Sequence, residues 1–413
     1  MNQILTEIST QVHIQTPKTI CILGGGFGGL YTALRLSQLD WGNTEKPEIV
    51  LVDQGDRFIF SPLLYELLTN ELQTWEIAPS YQEILENTGV HFHQAKVSEI
   101  DTDNQQVKLC DGKIFPYHRL VLALGSETNL DLVPGAVKHA YPFRTIYDVH
   151  RLEERLRILT ATDPEKIRIA IVGAGYSGVE LACKLADRLG EKGRLRLIET
   201  GDEILRTSSE FNRQQAKKAL EQKSVFIDLE TKVVSIGENT ISLEYKNQID
   251  EIPVDLVIWT VGTRISSLVQ NLPLAHNQRG QITCTPTLQV IEHPEIFALG
   301  DLADCKDIEE QQLPGTAQVA FQQADYAAWN IWASLTDRPL LPFRYQALGE
   351  VMALGVDNAT LTALGITLDG YLGYLVRRLV YLYRLPTLEH QLKVGFSWLL
   401  NPIIKTLSQG FRE

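Results

Sequence analysis

Two short runs in this chain carry residues whose types and spacing suit the binding of an anion by the backbone. Gly24-Gly25-Gly26-Phe27-Gly28-Gly29 follows the apolar run Ile20-Cys21-Ile22-Leu23, and Gly173-Ala174-Gly175-Tyr176-Ser177-Gly178 follows Ile169-Ala170-Ile171-Val172. Both fit G-x-G-x-x-G, in which glycines admit a tight strand-to-helix turn and let the backbone approach a pyrophosphate. The helix that follows offers free N–H groups and the positive end of its dipole. Each turn also has an acidic residue at the end of the next predicted strand. Asp53 closes Glu48–Val52, 29 residues after Gly24, and Glu199 closes Arg194–Ile198, 26 residues after Gly173. A carboxylate there accepts hydrogen bonds from an adenosine ribose and repels a 2′-phosphate. The pattern predicts two bound dinucleotides, one on Gly24, Gly26, Phe27, Gly28, Gly29 and Asp53, the other on Gly173, Gly175, Tyr176, Ser177, Gly178 and Glu199. The bland alternative is a pair of glycine-rich turns that only pack tightly.

Strand and helix signals alternate through most of the length, which argues for an α/β protein with parallel sheets. Two stretches read instead as antiparallel meanders. The first comprises His91–His93, Lys96–Ile100 and Gln106–Leu109; the second comprises Val225–Asp228, Lys232–Ile236 and Thr240–Leu243. Each copy then ends in an apolar strand with a glycine, Arg119–Ala123 before Gly125 and Leu256–Trp259 before Gly262. Whole domains are repeated, not turns alone.

At 413 residues the chain has room for two or three domains, and 44% hydrophobic residues supply ordinary cores. The formal charge of −13 argues against nucleic acid as a partner. Cys21, Cys110, Cys183, Cys284 and Cys305 form no close pair along the sequence, so neither a metal site nor a dithiol centre is expected. Met1–Thr16 lacks the basic and apolar regions of a secretory signal, and no apolar stretch is long enough to span a bilayer.

These features together resemble the two-dinucleotide-binding flavoproteins. A further match is Glu295-Ile296-Phe297-Ala298-Leu299-Gly300-Asp301, an apolar strand ending in Gly-Asp. The resemblance implies that Asp301 meets the flavin, that the first Rossmann-like domain binds FAD, and that an inserted second one binds NADH or NADPH. It divides the chain into 17–163 (FAD, first part), 164–280 (NAD(P)H), 281–364 (FAD, second part) and a C-terminal segment, 365–413. Disulfide reductases of this architecture need a cysteine pair beside the flavin. Sulfide:quinone reductases need flavin-side cysteines too, and Cys183 is predicted in the helix after the second turn.

Within that architecture the chain resembles the type II NAD(P)H:quinone oxidoreductases over roughly Lys18 to Leu407. The residues that carry this are Phe60-Ser61-Pro62-Leu63-Leu64, Val133-Pro134-Gly135, Gly173–Glu180 and Thr316-Ala317-Gln318-Val319-Ala320-Phe321-Gln322-Gln323. The resemblance implies flavin contacts at Ser61, Pro62, Val97, Gly125 and Ala317, with Gly262 also at the cofactors. It places a quinone at Gln318 and Gln322, and Glu180 near the nicotinamide, where that carboxylate either positions the ring or steadies the helix N-terminus. Gln318 and Gln322, four apart, share a helix face, and neutral amides can donate to a quinone carbonyl or accept from a quinol hydroxyl. Glu199 favours NADH, whereas Arg206 and Thr207-Ser208-Ser209 leave NADPH open. Glu350 stands where the family usually has a basic residue, a departure that resembles the cyanobacterial and plastid branch that includes demethylphylloquinone reductase, of vitamin K1 formation.

The tail is opposite in charge to the rest. From Gly365 to Glu413 six basic residues face three acids, and two apolar stripes run through it. Leu372, Leu375, Val376, Leu379 and Leu382 form one; Leu392, Phe396, Leu399, Leu400, Ile403 and Leu407 form the other, with tyrosines, Arg378 and Trp398 beside them. Amphipathic helices of this kind suit an anionic bilayer surface, so peripheral attachment is expected on the cytoplasmic face of a membrane, cytoplasmic or thylakoid if cyanobacterial. The same stripes would also serve packing on the protein body or a homodimer. Expected chemistry is two-electron transfer from NAD(P)H through FAD to a membrane quinone without proton pumping, and no metal. The quinone would be a prenyl naphthoquinone such as demethylphylloquinone or a plastoquinone-type benzoquinone. A soluble ferredoxin- or rubredoxin-type reductase and a slow redox sensor are the rival readings.

Overall fold

The computed structural model of the chain describes residues 18–162, 164–309 and 312–410, with side chains as far as Leu400. The readings made above for Met1–Thr16, Ile403 and Leu407 lie outside what is described.

Buried apolar strands build two sheets. The first runs, in spatial order, Gln289–Val290, His293–Ala298, Arg119–Leu122, Thr19–Leu23, Glu48–Asp53 and Val90–Gln94, parallel except at the Gln289–Val290 edge. The second runs Phe226–Asp228, Gly193–Ile198, Ile167–Val172, Leu256–Trp259 and Ala140–Pro142, all parallel. Thr19–Leu23 is buried along its whole length, as a strand covered on both faces must be. The chain leaves the first sheet after Arg119–Leu122 and returns through His293–Ala298, so the second unit is an insertion. The crossings out and back lie side by side as Glu127–Thr128 against Thr263–Arg264.

In each sheet the strand before the glycine turn sits where the order reverses, with its sequence successor on one side and the closing strand on the other. Crevices at the carboxyl ends of such switch strands are where open α/β sheets bind ligands.

Three expectations are corrected. His91–His93 and Val225–Asp228 are not meander strands but parallel edge strands, paired as Leu51↔Phe92 and Leu197↔Ile227. Short apolar runs of this length do not reveal their partner, and a dozen or more intervening residues permit a parallel crossover. The meanders are Val97–Asp101, Gln106–Leu109 and Ile114–Pro116, and Thr231–Ile236, Thr240–Tyr245 and Gln248–Pro253. A boundary at 163/164 separates Ala140–Pro142 from the second sheet, to which it is hydrogen-bonded. A boundary at 364/365 cuts the hairpin Ala359–Ala363/Ile366–Leu368, which with Glu350–Ala353 forms a three-stranded sheet.

That small sheet carries the helix Gly370–Arg384, followed by Leu388–Gly410. A Cβ on Gly373 would stand 2.3 Å from the Ala359 carbonyl oxygen, so only glycine lets this helix lie against the strand. Four turns of helix bring Arg377 inward rather than to a bilayer, and its side chain is wholly buried. Its guanidinium pairs with Glu66, donates to the Pro62 carbonyl at 2.8 Å and stands 3.6 Å from Glu180. Lys184, also wholly buried, pairs with Glu71 and lies 3.8 Å from Glu66. Two cations and three carboxylates from three structural units thus share one buried space. Removing one partner of such a cluster strands a buried charge, at about 3–5 kcal/mol, while removing both can be nearly neutral. Arg377→Met should therefore lower unfolding stability by about that much, and Arg377→Met/Glu66→Leu should recover a large part of it. Strictly additive losses in denaturant titrations would show that the two charges do not depend on each other.

Candidate functional site

The first glycine turn opens onto the helix Phe27–Gln38. Its N-cap is Gly26, with no side-chain cap, and a Cβ placed there would meet nothing within 4 Å. By contrast the helices Ile146–Ala161, Glu210–Gln222 and Ala317–Leu335 are capped by Thr145, Ser209 and Thr316. The first N–H groups of the helix Phe27–Gln38 thus have no side-chain cap, and the space beside Gly26 is open, which is the arrangement a pyrophosphate needs. Gly29 packs so tightly that a Cβ would stand 1.8 Å from the Gly24 carbonyl oxygen. Asp53 ties the turn to the next strand, accepting from the Gly25 N–H at 2.6 Å and the Gly55 N–H at 2.7 Å. Burial pushes its carboxyl above the ordinary range, opposed by those two bonds. Val97 is buried and begins the first meander, two residues after Ala95, whose N–H donates to the Asp53 carbonyl.

Asp301 follows the strand His293–Ala298. Its carboxylate accepts from the Ser126 hydroxyl at 2.7 Å and lies 3.7 Å from the Arg144 guanidinium, which itself donates to Ser126 at 3.2 Å. Asp301, Thr316, Gln281, Gln323 and Arg264 line a cavity of about 510 Å³ at this end of the crevice. Gly125, with φ of 68°, and Gly262, with φ of 72°, bracket the two inter-unit crossings. The glycine cradle, Asp53 and the Asp301 cavity fit one extended dinucleotide such as FAD.

The second turn repeats the first. Gly175 is an N-cap without a side-chain cap for Tyr176–Leu189, and a Cβ there also meets nothing within 4 Å. Glu199 accepts from the Ala174 N–H at 2.8 Å and the Gly201 N–H at 2.9 Å. Arg206 lies near it, 3.6 Å from Asp202 and against Gly201. Ser208 and Ser209 are otherwise engaged. The Glu350 carboxylate accepts from the Ser208 hydroxyl at 2.7 Å, the Ser209 N–H at 3.0 Å and the Asn212 amide at 2.9 Å. Burial raises the Glu350 pKa, yet these donors hold it below the ordinary value. An acid suits this position because it faces the N-terminus of the helix Glu210–Gln222.

Not every residue expected at the nucleotide is free to meet it. The Ser177 hydroxyl accepts from Tyr65 of the first unit at 2.9 Å. Glu180 points away from the crevice into the buried cluster, where it accepts from the Ala353 N–H at 2.8 Å. Burial lifts its pKa to about 7, with Arg377 opposing. Ser61 and Pro62 open the 3-10 helix Ser61–Leu67, whose Pro62 carbonyl and Glu66 carboxylate both hold Arg377. Arg377, Glu66, Arg144 and Tyr65 had no motif of their own in the sequence; only the i, i+4 spacing of Glu180 and Lys184 hinted at a shared charged face.

Gln318 and Gln322 do share a face of the helix Ala317–Leu335, but the segment Tyr345–Gly349 lies along it. Gln318 Oε1 accepts from the Tyr345 hydroxyl at 2.6 Å and the Leu348 N–H at 3.2 Å. Gln322 exchanges two bonds with the Gln346 backbone, at 2.8 and 3.0 Å. Ala317 begins this helix, whose N-terminus adjoins Asp301 through Gly315.

Two cysteines distant in sequence meet in space. The Cys284 and Cys305 thiols both donate to the Ala298 carbonyl, at 3.8 and 3.5 Å. They are buried, and their mutual contact and burial push the Cys305 thiol up, which keeps it an inert structural thiol. Cys183 is likewise buried in its helix. Among the described residues no cluster of three metal-ligating side chains occurs, and no helix is long and apolar enough to cross a membrane.

This geometry agrees with the similarities the chain shows. Residues 18–324 match the pyridine nucleotide-disulphide oxidoreductase family. The chain is 57% identical to demethylphylloquinone reductase NdbB of Synechocystis sp., covering 93% of this chain and 96% of that one. It is 43% identical to the alternative NAD(P)H-ubiquinone oxidoreductase C1 of Arabidopsis thaliana, covering 94% and 82%. The structure of NDH2 from Plasmodium falciparum in complex with NADH has the same fold, with a TM-score of 0.82 at 18% identity over 94% of this chain and 98% of that one. The chain therefore belongs to the pyridine nucleotide-disulphide oxidoreductase family and, within it, to the type II NAD(P)H:quinone oxidoreductases.

Proposed function

We propose that this protein carries two electrons from NAD(P)H to a prenyl naphthoquinone of the demethylphylloquinone kind, at the surface of a membrane. The observation that carries this reading is the buried cluster. Glu180 from the nucleotide unit, Pro62 and Glu66 from the flavin unit and Arg377 from the C-terminal helix meet within hydrogen-bond or ion-pair reach. Nucleotide unit, flavin unit and C-terminal helix thus meet at one point. When bound, FAD supplies the relay between a two-electron donor and a quinone.

The chain's own residues orient and exclude. Gly175 and the free N–H groups after it would seat the nucleotide pyrophosphate, and Glu199 its ribose, with a bias to NADH because a carboxylate repels a 2′-phosphate. Asp53 and Asp301 would hold the two ends of FAD, Arg144 steadying Asp301. The quinone ring would lie at Gln318 and Gln322. Its prenyl chain would leave toward the helices Gly370–Arg384 and Leu388–Gly410, which present Leu372, Leu379, Phe396 and Leu399 at 62–71% exposure. Arg378 stacks on Trp398 at 4.6 Å and on Tyr374 at 5.1 Å, a set suited to the headgroup layer. We place the protein peripherally on the cytoplasmic face of its membrane.

Anaerobic mixing of the detergent-solubilised holoprotein with NADH, then with a short-chain naphthoquinone, tests the reaction through flavin absorbance. Rapid bleaching and rapid recovery are expected; bleaching that persists until a ferredoxin is supplied would overturn the reading. Glu199→Gln should raise the NADPH:NADH ratio of kcat/KM by on the order of tenfold, equivalent to about 1.4 kcal/mol, and an unchanged ratio would sink the assignment. Replacing Leu372, Leu379 and Leu399 by glutamine should abolish flotation with anionic vesicles; loss of a dimer instead would reassign the stripe.

Glu180 gives a pH signature. Its pKa is raised from the ordinary value to about 7, so the native state holds the proton more tightly than the unfolded chain. Its contribution to stability is full below about 4.5 and is lost as pH rises through about 7. The melting temperature of wild type should fall, relative to Glu180→Gln, across that interval. Parallel curves would mean that Glu180 ionises normally.

A further inference from the structure

The contacts of Gln318 determine more than its position. A backbone N–H can only donate, so the Leu348 N–H at 3.2 Å identifies the Gln318 side-chain atom it faces as oxygen. The Tyr345 hydroxyl donates to the same oxygen at 2.6 Å. A carboxamide oxygen has two lone pairs, and both are taken. Gln318 Nε2 leans toward the Gly349 carbonyl at 3.4 Å and keeps a second hydrogen. Gln322 is only half engaged: its oxygen accepts from the Gln346 N–H at 3.0 Å and keeps a lone pair, and one hydrogen of its nitrogen goes to the Gln346 carbonyl at 2.8 Å. The segment Tyr345–Gly349 therefore converts Gln318, which could donate or accept, into a group that only donates to a ligand, while Gln322 keeps both capacities.

We propose that Tyr345 is a positioning and specificity residue that makes Gln318 a donor-only contact, so that this contact favours a quinone carbonyl over a quinol hydroxyl. The inference rests on the reading that the quinone lies at Gln318. A quinone carbonyl oxygen only accepts and is fully matched by the remaining Nε2 hydrogen. A quinol hydroxyl also brings a proton that needs an acceptor, and the Gln318 oxygen has no lone pair left for it. The unmatched proton weakens product binding and favours release. Without the tyrosine hydroxyl, one lone pair opens and the quinol gains a partner. The same two neutral amides, judged from spacing alone, would bind both oxidation states.

The test uses the full-length FAD-loaded protein in detergent, with 2-methyl-1,4-naphthoquinone as substrate and its quinol as product inhibitor under anaerobic conditions. Tyr345→Phe should leave the quinone KM within about twofold and lower the quinol inhibition constant by about three- to tenfold, the range expected from one hydrogen bond. Tyr345→Leu should shift the ratio of the two constants the same way, which a loss of ring packing alone would not do selectively. Unchanged quinol inhibition in both variants overturns the proposal. Gln318→Ala separates the two levels. If it raises the quinone KM while the Tyr345 variants leave the ratio alone, the quinone site stands and the role of Tyr345 falls. If it changes neither constant, the quinone does not lie at Gln318 and the underlying reading falls with the proposal.

Discussion

Arg377 is the fixed point of the molecule. A guanidinium without any exposure can persist only if carboxylates and carbonyls replace its water, and here the replacements come from two other units of the chain. Glu66 and Pro62 belong to the flavin unit, Glu180 to the nucleotide unit. Burial pushes the pKa of this guanidinium down, but Glu66 above all, with Tyr381 and Glu180, more than offsets it. Glu66 is in turn kept ionised against burial by Arg377 and Lys184. None of these charges can be relocated singly, and this electrostatic condition joins the three units alongside other contacts, among them Tyr65 to Ser177 and Glu350 to Ser208, Ser209 and Asn212.

The same condition explains why Glu180 behaves unlike its neighbours. The cluster holds two cations and three carboxylates, and Arg377 and Lys184 are already paired with Glu66 and Glu71. Glu180 has the longer contact to Arg377 and a single backbone donor, so burial dominates and its pKa rises. One carboxyl in the cluster is thereby poised near neutrality while Glu66 is not.

The two glycine turns are near copies, yet their surroundings differ. At the first, the Tyr81 hydroxyl donates to the Gly25 carbonyl at 2.8 Å and its ring closes the turn from below. Asp53 is more deeply enclosed than a surface carboxylate, as its raised pKa records. At the second, Glu350 reaches across from the C-terminal sheet to Ser208, Ser209 and Asn212, and the Tyr176 hydroxyl lies against the same carboxylate. A walled cradle suits a resident group, and a cradle bordered by a separate unit suits one that exchanges. Glu350 opens the strand immediately after the segment that engages Gln318 and Gln322. The contact to the nucleotide unit and the contact to the glutamine helix are thus consecutive in the chain.

The sequence by itself determined the glycine turns, their acidic strand ends, the Gly-Asp strand and the amphipathic tail, because each depends on backbone conformation or periodicity within a few residues. Gly24 to Asp53 and Gly173 to Glu199 could be read directly for that reason. What no local pattern contained was the partner of a side chain far along the chain. Arg377 was one of the six basic residues in the charge count of the tail, though helix rotation and Gly373 turn it inward to Glu66, 311 residues away. Short edge strands were misassigned because their runs do not encode which neighbour they pair with. Gln318 was read as able to donate or accept, and only the approach of Tyr345 and Leu348 decided which. Hydrogen-bond capacity is a property of the residue, but the capacity left for a ligand depends on what the fold has already used.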